Sequence, residues 1–116
     1  MEQILLCSHN PIFIKNLYGI LWDAGLHADI ADHHSLAITM VLNRRYVAII
    51  IDAAQLGLAA EEVIRIIKGI LPDIPIIVAG CDVPHGEAFN LEAPVDLEEF
   101  KKVIHTIYGF SKMSQN

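Results

Sequence analysis

The chain has 116 residues, of which 53% are hydrophobic and 19% are charged, and its formal net charge is −6. This length suits one domain with one packed core, and the composition argues against extended disorder. The negative charge and the scattered Lys and Arg residues exclude a general affinity for nucleic acid or anionic membrane, and no apolar run approaches the ~20 residues that span a bilayer. The two cysteines lie far apart, which indicates neither a disulfide framework nor a zinc site. We expect a cytoplasmic protein without a signal peptide.

The first half of the chain alternates between strand and helix patterns. Residues 3–7 form a short apolar run typical of a buried strand. Asn10 is a favoured N-cap, Pro11 is a favoured first helical residue, and Gly25 is placed to stop the helix that follows. Residues 27–31 predict a weaker strand at a sheet edge, and a second helix is predicted over 35–45.

The second half continues the alternation. Residues 46–52 give the strongest strand pattern, apolar without alternation, which predicts cover on both faces. A helix is predicted over 59–71, a buried strand over 75–79 and a very short strand near 90–92. A capping box at 96–99 opens a last helix that is expected to end near Gly109. We therefore expect one domain over 1–109 and a polar tail, or the start of a linker, over 110–116.

Continuously apolar strands that alternate with helices predict a parallel sheet between two helical layers. In such sheets the functional crevice lies at the carboxyl ends of the strands. The residues predicted to lie there are Cys7, Ser8, His9, Asp52, Gly80, Cys81, Ala93 and Pro94.

Several segments together resemble the receiver domains of response regulators. The stretch Y-V-A-I-I-I-D over 46–52, with L-G-L shortly after it, is similar to the family's central strand and loop. L-P-D-I-P-I-I-V over 71–78 resembles the approach to its fourth strand, and A-P-V-D-L-E-E over 93–99 resembles the entry to its last helix. The resemblance covers nearly the whole chain. It implies a flavodoxin-like three-layer sandwich, with a five-stranded parallel sheet in the order 2-1-3-4-5, and a role in two-component signalling.

One element of the family does not fit the spacing. The 20 residues over 75–94 must hold the fourth strand, a connection and the fifth strand. The connection contains a proline and two glycines, shows no helical period and is too short for a helix of about 11 residues. We expect the family's fourth helix to be absent or very short.

The resemblance also implies a phosphorylation site, but this sequence lacks most of the functional groups that the family uses there. Asp52 matches the phosphoacceptor position. The family places a Mg²⁺-binding acid pair after strand one, a hydroxyl after strand four and a lysine before the proline after strand five; these positions hold Ser8 with His9, Gly80 and Ala93. We expect a degenerate receiver, or pseudo-receiver, that is not an enzyme, uses no cofactor or metal, and leaves Asp52 unphosphorylated.

Other readings of these residues stay open. Asp52 could accept phosphate in a working receiver, cap the loop after it, or pair with His9. Cys7 at the end of a first strand resembles the nucleophile of phosphocysteine enzymes and small phosphatases, although the loop after it has no glycine and Pro11 removes one amide donor. The pair of histidines at 33–34 is best read as solvated surface.

A receiver without phosphorylation is expected to act through another protein or through a second copy of itself. Without a fourth helix, part of the sheet near the fourth and fifth strands would lack cover, and exposed apolar surface favours association. We predict a homodimer interface that includes Ile76, Val83, Phe89 and Leu91, with no direct role for nucleic acid or membrane.

Overall fold

The computed structural model of the chain describes residues 2–56, 59–81, 88–92 and 96–114. Within these residues, five strands form one parallel sheet in the order β2-β1-β3-β4-β5, as predicted. The strands are β1 Gln3–Cys7, β2 His27–Ala31, β3 Ala48–Asp52, β4 Ile76–Cys81 and β5 Phe89–Glu92. The helices are α1 Pro11–Asp23, α2 His34–Asn43, the single turn α3 Ala53–Leu56, α4 Ala59–Ile70 and α5 Leu97–Ser114.

The core has two layers, one on each face of the sheet. The layer beneath α2 and α4 includes Leu5, Cys7, Ile49, Ile51, Ile76 and Val78. The layer beneath α1 and α5 includes Ile4, Leu6, Ile50, Ile77, Leu91 and Phe100. All five residues of β3 are buried, because this central strand faces helices on both sides. Its apolar run without alternation follows from that position.

Side-chain caps fix where two of the helices begin. The Oδ1 atom of Asn10 accepts hydrogen bonds of 3.0 and 3.3 Å from the amides two and three residues later. The Oδ1 atom of Asp96 does the same at the start of α5, at 2.9 and 3.4 Å. Gly25 follows α1 with a φ of 81°, a left-handed conformation suited to glycine. The N-caps and the helix stop predicted from sequence are therefore confirmed.

Several element boundaries differ from the predicted ones, and three of the differences have a clear structural reason. β3 begins at Ala48 rather than at residue 46, because Tyr46 lies before the strand and bonds to another part of the molecule. α2 ends at Asn43, since Arg44 is extended with a φ of −137°. α5 does not end near Gly109 but continues to Ser114. A helix tolerates an internal glycine at a cost of about 1 kcal/mol, and no proline follows to stop it.

The connection from β4 to β5 is short. The two strands leave seven residues, 82–88, between Cys81 and Phe89. A crossover helix of ordinary length, about 11 residues, does not fit this stretch. Among the described residues, no helix has the length and the apolar character needed to cross a membrane.

Candidate functional site

A buried hydrogen bond joins the carboxyl ends of β1 and β3. The Oγ atom of Ser8 donates to the Oδ2 atom of Asp52 over 2.7 Å. Ser8 is buried and Asp52 is only 3% exposed. The sheet register explains the contact: Cys7 pairs with Ile51, so the residues that follow these two lie side by side. Both side chains point to the layer beneath α1 and α5, as Leu6 does two residues earlier.

Two further hydrogen bonds hold Ser8 in place, one to its hydroxyl oxygen and one from its amide. Its oxygen accepts a hydrogen bond of 3.1 Å from the amide of Asn10. The amide of Ser8 donates to the carbonyl oxygen of Ala31 over 3.0 Å, which extends the β1–β2 ladder by one residue. A continuous chain of donors thus runs from the N-cap of α1 through Ser8 to Asp52. This arrangement fixes the orientation of the carboxyl group and occupies one of its oxygens.

The histidines near this edge do not join the site. His9 is exposed, and among the described residues its ring forms no ion pair with Asp52 or with another carboxylate. The partner of Asp52 is therefore Ser8 and not His9. His33 and His34 are exposed, in agreement with the predicted solvated surface, and the Nδ1 atom of His33 lies 2.6 Å from Oδ1 of Asp32.

Gly80 lies where the resemblance implies a hydroxyl residue, and its backbone disfavours one. Its φ is 74°, in the left-handed region that costs other L-residues about 1–2 kcal/mol. A Cβ atom there would lie 3.5 Å from the Cβ of Ala54, which is an ordinary contact. The conformation, and not a lack of space, therefore favours glycine. The position of Ala93 lies outside the described residues.

Cys7 is a poor nucleophile in this fold. Its side chain is fully buried in the layer beneath α2 and α4. Burial first, and then the charges of Asp52 and Asp32, raise the pKa of its thiol from 9.0 to about 11. The reactive thiolate is accordingly scarce at neutral pH. Burial and pKa both argue against a phospho-enzyme that uses Cys7.

The described residues at this edge do not fit the Mg²⁺ ion that the resemblance implies. Mg²⁺ requires hard oxygen ligands in near-octahedral geometry, with one or two carboxylates supplied by the protein. Ser8 offers a neutral hydroxyl that already donates to Asp52, and His9 offers a nitrogen. Within the described part of the chain, no three His, Cys, Asp or Glu residues form a group that could hold a metal ion.

The predicted interface near β4 and β5 needs correction. Ile76 and Leu91 are buried within the single chain, so neither can contribute accessible surface. Phe89 pairs in register with Ile77, which places it on the α5 side of the sheet rather than on the side of α2 and α4. Phe89 is 39% exposed, and Val83 lies outside the described residues. Only Phe89 remains from the predicted set as a described surface residue.

A second polar cluster was missed by the sequence analysis. Asp29, on the edge strand β2, accepts at Oδ2 from Tyr46 Oη at 2.8 Å and from Arg44 Nη1 at 3.0 Å. His27 Nε2 lies 3.6 Å from its other oxygen. Burial, followed by the hydrogen bond and the charge of Asp29, raises the pKa of Tyr46 from 10.0 to about 12. The cluster ties the edge strand to the connection that enters β3.

The chain matches no protein-family model and no curated protein sequence. Solved structures do match it. The receiver domain of the sensor histidine kinase PA1611 from Pseudomonas aeruginosa PAO1, with a magnesium ion coordinated in the active site cleft, is similar at a TM-score of 0.76 and 21% identity. That match covers 93% of this chain and 98% of the other.

Two further neighbours agree. The receiver domain of the Francisella response regulator 1452 gives a TM-score of 0.80 at 14% identity, over 96% of this chain and 99% of the other. The Vibrio cholerae chemotaxis protein CheY4 gives 0.78 at 18% identity, over 92% and 98%. These matches define the class of the fold: the chain has the flavodoxin-like architecture of receiver domains, which confirms the predicted fold class.

Proposed function

We propose that the chain is a regulatory module of two-component signalling that acts through protein contact and not through phosphorylation of Asp52. The observation that carries this proposal is the 2.7 Å hydrogen bond from Ser8 to Asp52. It puts a neutral hydroxyl against the carboxyl group at a position where phosphoryl transfer needs positive charge.

A carboxylate that attacks a phosphoryl group meets like charge, and enzymes overcome this repulsion with metal ions, Lys or Arg. Within the described residues, no ion pair or hydrogen bond of Asp52 brings it a cation. Asp52 and Asp32 instead act together on Cys7, where both raise the thiol pKa. Both carboxylates therefore place negative charge near the carboxyl end of β1.

The structural neighbours support both halves of the proposal. The Pseudomonas aeruginosa receiver holds a magnesium ion in its cleft, whereas the described residues of this chain lack a matching ligand set. Another similar structure is a complex of the histidine kinase ThkA with the response regulator protein TrrA, at a TM-score of 0.75 and 20% identity. A protein partner, either a second copy or a different chain, is accordingly the kind of ligand we propose. We place this non-enzymatic module in the cytoplasm.

Phosphorylation of the intact protein tests the proposal directly. The chain is incubated with acetyl phosphate and Mg²⁺, and its intact mass is measured, with Asp52→Asn as the matched control. We expect no phosphoryl adduct in either protein. A stoichiometric adduct that disappears in Asp52→Asn would instead establish a working receiver. An adduct that disappears only in Cys7→Ser would establish a phosphocysteine enzyme.

Metal binding provides an independent test. A ligand that binds the native state raises the melting temperature, so Mg²⁺ at millimolar concentration should leave that temperature unchanged. A clear rise with Mg²⁺ would contradict the proposal. A rise in melting temperature with Zn²⁺ alone that is lost in His9→Ala would show a metal site that includes His9. That result would also contradict the proposal that the protein uses no metal.

A further inference from the structure

The outer face of α1 carries apolar side chains that the single chain leaves in solvent. Ile12 is 73% exposed and Trp22 is 56% exposed. Lys15, Gly19 and Asp23 are exposed on the same face. A helix repeats every 3.6 residues, so these five residues form one continuous line along α1, which we call the α1 stripe.

The ring of Trp22 is supported by a neighbouring aromatic ring. Its ring stacks on that of Tyr18, with centroids 6.4 Å apart and an angle of 11° between the planes. Ordering a flexible side chain opposes binding, and a ring that is supported in the free protein loses less freedom. Trp is also among the residues that contribute most to protein interfaces.

Gly19 has no internal reason to be glycine. A Cβ atom added there would meet nothing within 4 Å. Its φ is not in the left-handed region, where only Gly25 and Gly80 are found among the described glycines. Glycine in a helix interior is less favourable than alanine, so the isolated chain gains nothing from it. A bare backbone at this point does permit another helix to approach closely.

The charges of the stripe are arranged symmetrically about this glycine. Lys15 lies four residues before Gly19 and Asp23 lies four residues after it, so each charge is about 6 Å along the axis from the centre. Two copies of α1 packed antiparallel about a two-fold axis at Gly19 would bring each Lys15 level with Asp23 of the other copy. Because helical side chains lean toward the N-terminus, each Trp22 would lean over the partner's bare backbone at the axis.

We propose that a second copy of this chain docks on the α1 stripe and forms an antiparallel, two-fold symmetric homodimer through α1. The symmetric charges single out a second copy over other occupants, since the stripe is complementary to itself. Lys15 and Asp23 are the only charged residues of α1 and they balance, on a chain whose net charge is −6. This surface therefore opposes self-association less than an average surface of the molecule does. The inference rests on the proposed interaction role and names its partner.

Sedimentation velocity and tryptophan emission measure the dimer from low to high micromolar concentration. Trp22 is the only tryptophan, so its emission reports on the stripe alone. We expect a concentration-dependent shift from monomer to dimer, with a blue shift of the emission over the same range. Trp22→Ser should stay monomeric. Leu42→Ser, on α2 at 62% exposure, is the matched control and should dimerise as the wild type does.

Charge reversal tests the antiparallel geometry. Lys15→Asp and Asp23→Lys should each raise the dissociation constant by about tenfold, and the double variant should restore it. Gly19→Gln should abolish dimerisation while circular dichroism shows an intact fold. A monomer at every concentration would overturn the proposal. A dimer that persists in Trp22→Ser and Gly19→Gln would also overturn it, and so would a dimer that Phe89→Asp dissociates. A phosphorylated Asp52 in a protein that still dimerises through α1 would refute the proposed lack of phosphorylation and leave this inference standing.

Discussion

Asp52 and Asp29 are both carboxyl groups on strands of the same sheet, and their surroundings are opposite. Asp52 ends the central strand and accepts a hydrogen bond from the neutral hydroxyl of Ser8. Asp29 lies on the edge strand and faces the Arg44 guanidinium, the Tyr46 phenol and the His27 ring. The Arg44 cation therefore lies at the sheet edge beside Asp29. Among the described contacts of Asp52, at the position that matches a phosphoacceptor, there is no cation.

At the partly exposed edge of the sheet, the carboxyl group of Asp29 holds two chain segments together through a cation and a phenol. A buried carboxyl group that accepts a hydrogen bond from a hydroxyl is costly to leave without that donor. The hydrogen bond from Ser8 to Asp52 joins the carboxyl ends of β1 and β3. Mutations at the two sites should differ accordingly in size and in pH dependence.

The largest effect is expected from Ser8→Ala. This change leaves the buried carboxyl group of Asp52 without its donor and frees the amide of Asn10, so the free energy of unfolding should fall by about 2–3 kcal/mol. Urea denaturation measures the loss. In an Asp52→Ala background the same change should cost much less, because the interaction is already gone. An equal loss in both backgrounds would show that the hydrogen bond contributes little.

A somewhat smaller effect is expected from Gly80→Ala. The left-handed backbone at φ 74° costs a residue with a Cβ atom about 1–2 kcal/mol. Gly80→Asn is the matched control and should cost less, since Asn tolerates this conformation better. Thermal unfolding of the three proteins, followed by circular dichroism, gives the ranking. If alanine and asparagine are equally tolerated, the backbone at this position is not what selects glycine.

Much of the fold could be predicted from the sequence because its causes are local. The caps at Asn10 and Asp96 act on backbone amides two and three residues away, and the buried central strand shows in its apolar run. The end of α5 was not predicted, because Gly109 is also compatible with a continuing helix. The bond from Tyr46 to Asp29 spans 17 positions, and no local pattern indicates it.

The candidate site was predicted in position and not in detail. One interpretation of the sequence pairs His9 with Asp52, whereas the structure pairs Ser8 with it. The alternation of side chains along a strand could have predicted this pair. Ser8 is two residues after Leu6, and Asp52 is two residues after Ile50, so both side chains face the same core layer. The exposed apolar face of α1 was not predicted. Apolar spacing indicates which residues of a helix can be buried, but it does not show which of them pack against the core.

Tyr46→Phe should have a moderate effect that depends on pH. Loss of the hydrogen bond to Asp29 should lower the free energy of unfolding near neutral pH by about 1 kcal/mol. The pKa of Tyr46 is raised from 10.0 to about 12 in the fold, so its contribution is fully present below the first value and is lost as the pH rises through the second. The gap between the two proteins in urea denaturation should therefore narrow in strong alkali. A gap that stays constant would mean that the phenol ionises equally in both states.

The smallest effect is expected from Arg44→Gln, which removes the only cation of the Asp29 cluster whose charge does not depend on pH. The Arg44 side chain is largely in solvent, and exposed ion pairs contribute little because water and salt screen them. Asp29 keeps its hydrogen bond to Tyr46, so the loss in unfolding free energy should be smaller than in Tyr46→Phe. It should shrink further when the denaturation is repeated at high salt. Arg65→Gln is the control, because its ion pair with Glu62 is also exposed and lies outside the cluster. If Arg44→Gln destabilises the protein more than Tyr46→Phe does, then the charge of Arg44, rather than the phenol of Tyr46, holds the edge strand. Asp29 would then depend on a cationic partner, in still greater contrast to Asp52 with its neutral one.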